Sequence, residues 1–239
     1  MNTPVIDVST SSEVMVASAR APQWKRVLDV TVIALSMPVT LPVITVIALA
    51  VKLLSRGPVL FRQERIGLHG KPFTCFKFRT MRVDAPTAVH QGYFKQLMQS
   101  EEPMTKMDSM GDPRLVPLGS LLRASGLDEL PQLLNVLRGE MSVVGPRPCT
   151  PFEYSNYHTW QKQRFNTLPG LTGLWQVSGK NKTTFNEMIR LDIRYCETQT
   201  VWLDIAIILR TIPVVLGQVR ELLCRMRART RAALLRSNK

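Results

Sequence analysis

The feature that most constrains this chain is an uncharged run. From Val30 to Val51, 22 consecutive residues carry no charge. A helix rises ~1.5 Å per residue, so a run of that length can reach across a ~30 Å hydrocarbon layer. Trp24, Lys25 and Arg26 precede it, an aromatic and two cations of the kind that settle at a membrane interface. A cleaved signal peptide fits poorly. Ala48-Leu49-Ala50 has the small-residue form of a cleavage site, but the run starts too far from the N-terminus and is too long for an h-region.

Two features set the run apart from an ordinary single-pass helix. Pro38 and Pro42 sit mid-run; each removes a backbone donor and crowds the carbonyl four residues back. Both flanks are also positive: Lys25 and Arg26 before, Lys52, Arg56, Arg62 and Arg65 after. The positive-inside rule then puts both ends on the cytoplasmic side. A helix–break–helix that enters and leaves the same leaflet satisfies both facts and is the favoured expectation. A proline-kinked spanning helix is the alternative. The expected organisation is a disordered leader over 1–22, a re-entrant membrane helix over 23–55, a catalytic domain over 56–219 and a basic amphipathic tail over 220–239.

Charge supports a membrane or phosphate partner. The chain has 239 residues, a net charge of +13 and a pI near 10.1. Arg220–Lys239 holds seven Lys/Arg and one acid, a net of +6, leaving +7 for the rest. Such an excess calls for an anionic lipid face, a phosphate-rich ligand or nucleic acid. Arginines at 225, 227, 229 and 231 beside Leu222, Leu223, Leu234 and Leu235 fit an amphipathic helix on anionic lipid. A nucleic-acid arm would interleave aromatics, which the tail lacks, so no nucleic-acid partner is expected. Cys75, Cys149, Cys196 and Cys224 show no metal-ligand or paired spacing and read as reduced thiols, with Cys149 in packing.

The soluble part reads as α+β and mainly helical, with a small β-hairpin. Val59–Glu64 and Phe73–Phe78 are apolar runs around Gly67-Leu68-His69-Gly70, a hairpin pattern. Residues 84–113 read as a polar loop. Leu115–Leu122, Pro131–Leu137, 149–167 and Thr184–Glu197 read as helices, and 169–180 as a glycine-punctuated loop. Val201–Val219 is apolar but contains Asp204 and Arg210, which suits a helix at the interface or packed on the core.

Two constellations can carry chemistry. Asp128 and Glu129 precede Pro131, which is well placed as a first helical residue. The free N–H groups and dipole of a helix start favour ionised carboxylates and attract phosphate or a bound metal ion. Acids before a proline are also common simply as helix-start signals. In Gly145-Pro146-Arg147-Pro148, two prolines stiffen the backbone around Arg147, presenting a guanidinium suited to bidentate phosphate recognition; an exposed turn with a solvated arginine is the plain alternative. Arg123 is a second candidate phosphate partner. Lys77, Arg79 and Arg82 face either phosphates or lipid headgroups. A carboxylate pair with rigid arginines on the cytosolic side of a membrane suits phosphoryl transfer.

The stretch Leu127-Asp-Glu-Leu-Pro-Gln-Leu-Leu-Asn-Val-Leu-Arg-Gly-Glu-Met-Ser-Val-Val-Gly-Pro-Arg-Pro148 resembles the signature of the bacterial sugar transferases. These are the monotopic phosphoglycosyl transferases that start exopolysaccharide, O-antigen and glycoprotein glycan synthesis. The likeness runs from about Trp24 to about Gly217. It includes Gly57-Pro58-Val59, Gln63-Glu64-Arg65-Ile66-Gly67, Phe76-Lys77-Phe78-Arg79-Thr80-Met81 and Pro169-Gly-Leu-Thr-Gly-Leu-Trp-Gln-Val-Ser-Gly-Lys180. It corresponds to the short, minimal form of the family. One departure is that Leu41 stands before Pro42 where members often have serine, with Thr40 expected to satisfy the freed carbonyl instead.

The resemblance implies a re-entrant membrane helix and a two-step reaction. Asp128 would attack the β-phosphate of a UDP-sugar, release UMP and hold the sugar phosphate until undecaprenyl phosphate takes it. Glu129 would help hold Mg²⁺, together with Asp128, or act as a base. Arg123, Arg147 with its neighbour Pro146, and Arg79 would contact the substrate, as would Asp192. The expected location is the bacterial inner membrane with its anionic lipids. A homodimer is compatible with the sequence, which does not specify the sugar. The competing class, a non-enzymatic polybasic membrane adaptor, accounts for Val30–Val51 and the tail but leaves 123–148 unused.

Overall fold

The uncharged run folds as one helix, α1, Gln23–Leu54. The computed structural model describes residues 21–82, 88–100, 102–104, 114–179 and 183–237, so the expected leader lies outside the described residues except for its last two. Pro38 and Pro42 are both inside α1 and neither interrupts it. No residue of α1 leaves the helix at the expected break; the two prolines sit within it, at positions where a helix bends. Each proline removes only one donor, and the turns on either side keep theirs. The hydroxyls of Ser36 and Thr45 donate to the carbonyls of Ile33 and Leu41. Thr40 does not act as expected, since its buried hydroxyl makes no hydrogen bond.

Both ends of α1 pack on the same domain. Ile33 enters a cluster with Val136, Met141, Val144, Tyr195 and Ile207. Ile47 and Val51 enter another with Phe78 and Leu122. Between them, Leu35, Val39 and Leu41 are 78%, 68% and 56% exposed, an apolar face left uncovered among the described residues. Buried charges pin the helix start: Lys25 Nζ donates to Asp204 Oδ2 at 2.6 Å and to the Tyr195 hydroxyl at 2.7 Å. Asp29 accepts from Ser142 Oγ at 2.9 Å and from the Val143 amide at 2.8 Å. Such charges are tolerated in a core only when partnered in this way.

The predicted hairpin is present. β1, Leu60–Ile66, pairs antiparallel with β2, Pro72–Phe78, from Leu60 opposite Phe78 to Ile66 opposite Pro72. The turn takes His69 and Gly70 to positive φ, +54° and +76°. The expected loop over 84–113 is in part a helix, α2, Ala88–Gln99. Phe94 is its anchor, 6.2 Å or less, ring to ring, from Phe152, Tyr157 and Phe185. Packing of one aromatic, with Met98 a turn later, outweighs the polar composition around it.

The remaining elements follow in order: α3, Gly119–Ser125; a 3₁₀ helix, Leu127–Gln132; α4, Leu133–Leu137; β3, Ser142–Val144; α5, Pro151–Asn156; a second 3₁₀ helix, Thr159–Asn166; β4, Gly170–Thr172; α6, Leu174–Val177; α7, Phe185–Thr198; and α8, Val201–Ser237. Thr150 and Thr184 start α5 and α7 with capping boxes closed by Glu153 and Glu187. The stretch 169–180 is not simply a loop: β4 lies in it and pairs parallel with β3. α8 runs unbroken through the boundary expected at 219/220. Asp204 and Ile207 face the core, while Trp202, Leu209 and Leu216 are 79%, 61% and 64% exposed. By length and composition, α1 and Val201–Cys224 of α8 are each apolar enough to cross a membrane.

Candidate active site

Three short pieces of chain converge below the hairpin. β2 delivers Lys77. The first 3₁₀ helix delivers Asp128, Glu129 and Gln132. The turn after β3 delivers Arg147. Gly126, at φ +71°, ends α3 and lets the next helix begin at once. Asp128 and Glu129 thus lie in the first turn of Leu127–Gln132, and Pro131 is inside that helix rather than at its start as expected.

The turn carrying Arg147 is stapled to β4. Gly145 N donates to Thr172 O at 2.8 Å, and Gly170 N donates to Pro146 O at 2.9 Å. A Cβ on Gly145 would lie 2.2 Å from the Leu168 carbonyl oxygen, so only glycine allows this approach. The stiffness expected from Pro146 and Pro148 is therefore shared with a strand pairing. Behind the turn, Arg164 donates to the Arg147 carbonyl at 2.9 Å and to the Tyr157 hydroxyl at 2.8 Å. Its guanidinium also pairs with Asp192 at 2.6 Å.

Glu129 is the electrostatic centre. Its Oε1 accepts from Lys77 Nζ at 2.6 Å and from Arg147 Nη1 at 3.3 Å. Asp128 is 8% exposed. Burial pushes its carboxyl above the ordinary 3.8; Glu129 adds to the rise, while Lys77, Arg123 and Arg147 oppose it. The sequence argument expected a helix start to favour the ionised form. Desolvation wins instead, because the first helical piece spans six residues and offers little dipole. Arg65, Lys77, Glu129, Gln132, Arg147, Pro148 and Gly170 line a narrow cleft. Three cations face one carboxylate, a surface for an anionic ligand.

The predicted site residues divide. Glu129 and Arg147 meet in the cleft, Pro146 holds the cleft residue Gly170, and Asp128 lies close enough to feel the charges of Glu129, Arg123 and Arg147. Arg79 does not join them: it is 4% exposed and donates to Ser55 Oγ at 2.8 Å, to Ser55 O at 3.1 Å and to the Arg56 carbonyl, tying the end of α1 to β2. Asp192 is 2% exposed against Arg164 and reaches Arg147 only through it, so it stands behind the cleft rather than in it. Arg65 and Gln132 line the cleft and Arg164 backs it, and the sequence argument gave none of them a role at the site. Arg65 and Gln132 lie within the quoted motifs, and the three-residue spacing of Glu129 and Gln132, which eclipse on a 3₁₀ helix, was a further signal.

Asp128 and Glu129 suit a divalent ion. Mg²⁺ is usually held by one or two carboxylates and completes its shell with water and substrate phosphates. Among the described residues no group of three or more His, Cys, Asp or Glu gathers, so Asp128 and Glu129 are the two carboxylates that would hold such an ion.

A buried carboxylate beside a cation-lined cleft, on a domain clamped to an apolar helix, defines the class: an enzyme for anionic substrates at a membrane. A family model described as bacterial sugar transferase matches residues 20–218, and the chain belongs to that family. It is an enzyme of that class, which sets the adaptor alternative aside. It is similar to "Exopolysaccharide production protein ExoY" of Sinorhizobium fredii, 37% identical over 191 residues, 80% of this chain and 84% of the relative. It is 41% identical over 201 residues to "UDP-glucose:undecaprenyl-phosphate glucose-1-phosphate transferase" of Caulobacter vibrioides, 80% of this chain and 69% of the relative. It is 45% identical over 164 residues to "Galactosyl transferase CpsE" of Streptococcus agalactiae, 67% of this chain but only 35% of that longer relative.

Proposed function

We propose that this chain is a phosphoglycosyl transferase that moves a sugar 1-phosphate from a UDP-sugar to undecaprenyl phosphate at the cytoplasmic face of a bacterial inner membrane, for exopolysaccharide synthesis. The observation that carries the proposal is Asp128, a buried carboxylate of raised basicity beside Glu129, which Lys77 and Arg147 hold in place. The names of the Caulobacter and Sinorhizobium relatives support the substrates and the pathway.

Asp128 attacks the β-phosphorus of the UDP-sugar. A carboxylate O–P bond forms, the bond to the bridging oxygen breaks, and UMP leaves with the electron pair. An oxygen of undecaprenyl phosphate then attacks the same phosphorus, and Asp128 leaves as a carboxylate. Burial strips water from Asp128 and strengthens it as a nucleophile. Arg147 and Arg123 balance charge on the phosphoryl oxygens. Glu129, fixed by two cations, helps hold Mg²⁺ with Asp128 or takes a proton; the ion's contribution is to neutralise the diphosphate.

The packing of both ends of α1 on one domain supports re-entry: a spanning helix would carry its ends to opposite faces. The exposed apolar faces of α1 and α8 then meet lipid, and the basic end of α8 meets anionic headgroups. The test is isotope exchange between UMP and UDP-sugar without lipid acceptor. Exchange by the wild type, lost in Asp128→Asn while membrane association persists, is expected. Transfer to lipid with no exchange would refute the covalent step.

A further inference from the structure

The cleft contains donors with nothing to donate to. Gln132 is 1% exposed, and its amide nitrogen makes no hydrogen bond. Folded proteins rarely leave such a group unpaired, and the exceptions point to a missing partner. Gln132 follows Glu129 by three residues on the 3₁₀ helix, so the two side chains stand one above the other. Both line the cleft. Arg65, on another wall, repeats the pattern. Its two Nη atoms donate to Pro148 O at 3.1 Å and Gln63 Oε1 at 2.6 Å, while its buried Nε donates to nothing.

The missing partner is an acceptor. Glu129, the one carboxylate lining the cleft, already accepts from Lys77 and Arg147. A sugar hydroxyl would bring a proton of its own and need an acceptor in return. A phosphoryl group brings only acceptor oxygens and negative charge, matching two unused donors beside two cations.

We propose that Gln132 binds substrate, its amide N–H donating to an oxygen of the phosphoryl group that is transferred. This rests on the functional proposal above and adds a residue to it. Because that phosphoryl group remains through both steps, Gln132 acts in both. A water held by Gln132 would satisfy the same nitrogen, and the experiment separates the two.

The full-length chain in lipid nanodiscs is compared as wild type, Gln132→Leu and Gln132→Glu. Three quantities are measured: thermal midpoint, inorganic pyrophosphate binding with Mg²⁺, and kcat/KM for UMP exchange and for transfer to lipid. Gln132→Leu is expected to melt at or above the wild type, since it removes an unpaired buried donor. It should bind pyrophosphate about 10-fold more weakly and lose about 10- to 100-fold in kcat/KM in both half-reactions. Gln132→Glu, of the same shape, replaces the donor with a negative charge and should bind more weakly still. Wild-type binding and turnover in either variant overturns the proposal, as does a lower melting point with activity restored in Gln132→Glu, the mark of packing alone. If Gln132→Leu does not fold, Gln132→Glu decides by itself. A wild-type chain that binds pyrophosphate through Gln132 but transfers from no UDP-sugar would sink the functional proposal and keep Gln132 as a phosphate ligand only.

Discussion

Arg164→Met isolates the part of the site that works from behind. Arg164 and Asp192 are an ion pair at 2.6 Å with side chains 2% and 3% exposed, so solvent screening is negligible. Removing the guanidinium leaves Asp192 as an uncompensated buried charge, a loss of about 3–5 kcal/mol. For a chain of this size each kcal/mol moves the melting midpoint about 2–4 °C, so the expected drop is about 6–20 °C in a thermal shift assay at pH 8. Acidification should shrink it. Burial already pushes the Asp192 carboxyl up to about 6 with Arg164 present. A carboxyl raised in the folded state favours folding below its ordinary value, and that favour is lost as pH rises through the folded value. Without Arg164 that value rises further, so the deficit at pH 8 should contract near pH 5.

The double variant Arg164→Met/Asp192→Leu completes the cycle. An apolar pair of similar volume commonly replaces a buried ion pair at little cost, so stability should largely return. Activity should not. The Arg147 carbonyl has lost the donor that held it at 2.9 Å, and kcat/KM should stay about 10- to 100-fold down. If the double variant is destabilised by the sum of the single effects, the pair is not the coupling. If it regains activity with stability, Arg164 does not position Arg147.

Lys77→Met should lower kcat/KM about 10²–10³-fold and move the acid limb of its pH profile upward, because Lys77 is the largest charge opposing the rise of Asp128; an unmoved limb would contradict this. Asp128→Asn should melt above the wild type at pH 8, with the gain fading toward pH 4, because the ionised form of a carboxyl raised by burial weakens the fold. Equal melting at both pH values would refute that account. In a background freed of reactive thiols, Val27→Cys and Leu53→Cys, at sites 66% and 81% exposed, should both react with an impermeant label from the cytoplasmic side alone. Labelling from opposite sides would exclude re-entry.

The sequence by itself determined whatever is local. A charge-free run fixes a long apolar helix, two apolar runs around Gly67–Gly70 fix a hairpin, and Thr184 with Glu187 fixes a helix start, because each signal lies within a few residues of what it specifies. The same locality made Asp128, Glu129 and Arg147 visible as a motif. Tertiary structure alone decided what they do together. Lys77 lies 52 residues from Glu129 and Arg147 18, and nothing local brings them within hydrogen-bond reach. The direction of the Asp128 shift also depended on burial, a sum over the surrounding domain that no window of sequence contains. For the same reason Arg79 turned to Ser55 and Asp192 to Arg164. A short run with Gly and Thr became β4 only because β3 lay beside it, and Gln132 could be recognised as an unpaired donor only once its neighbours were in place.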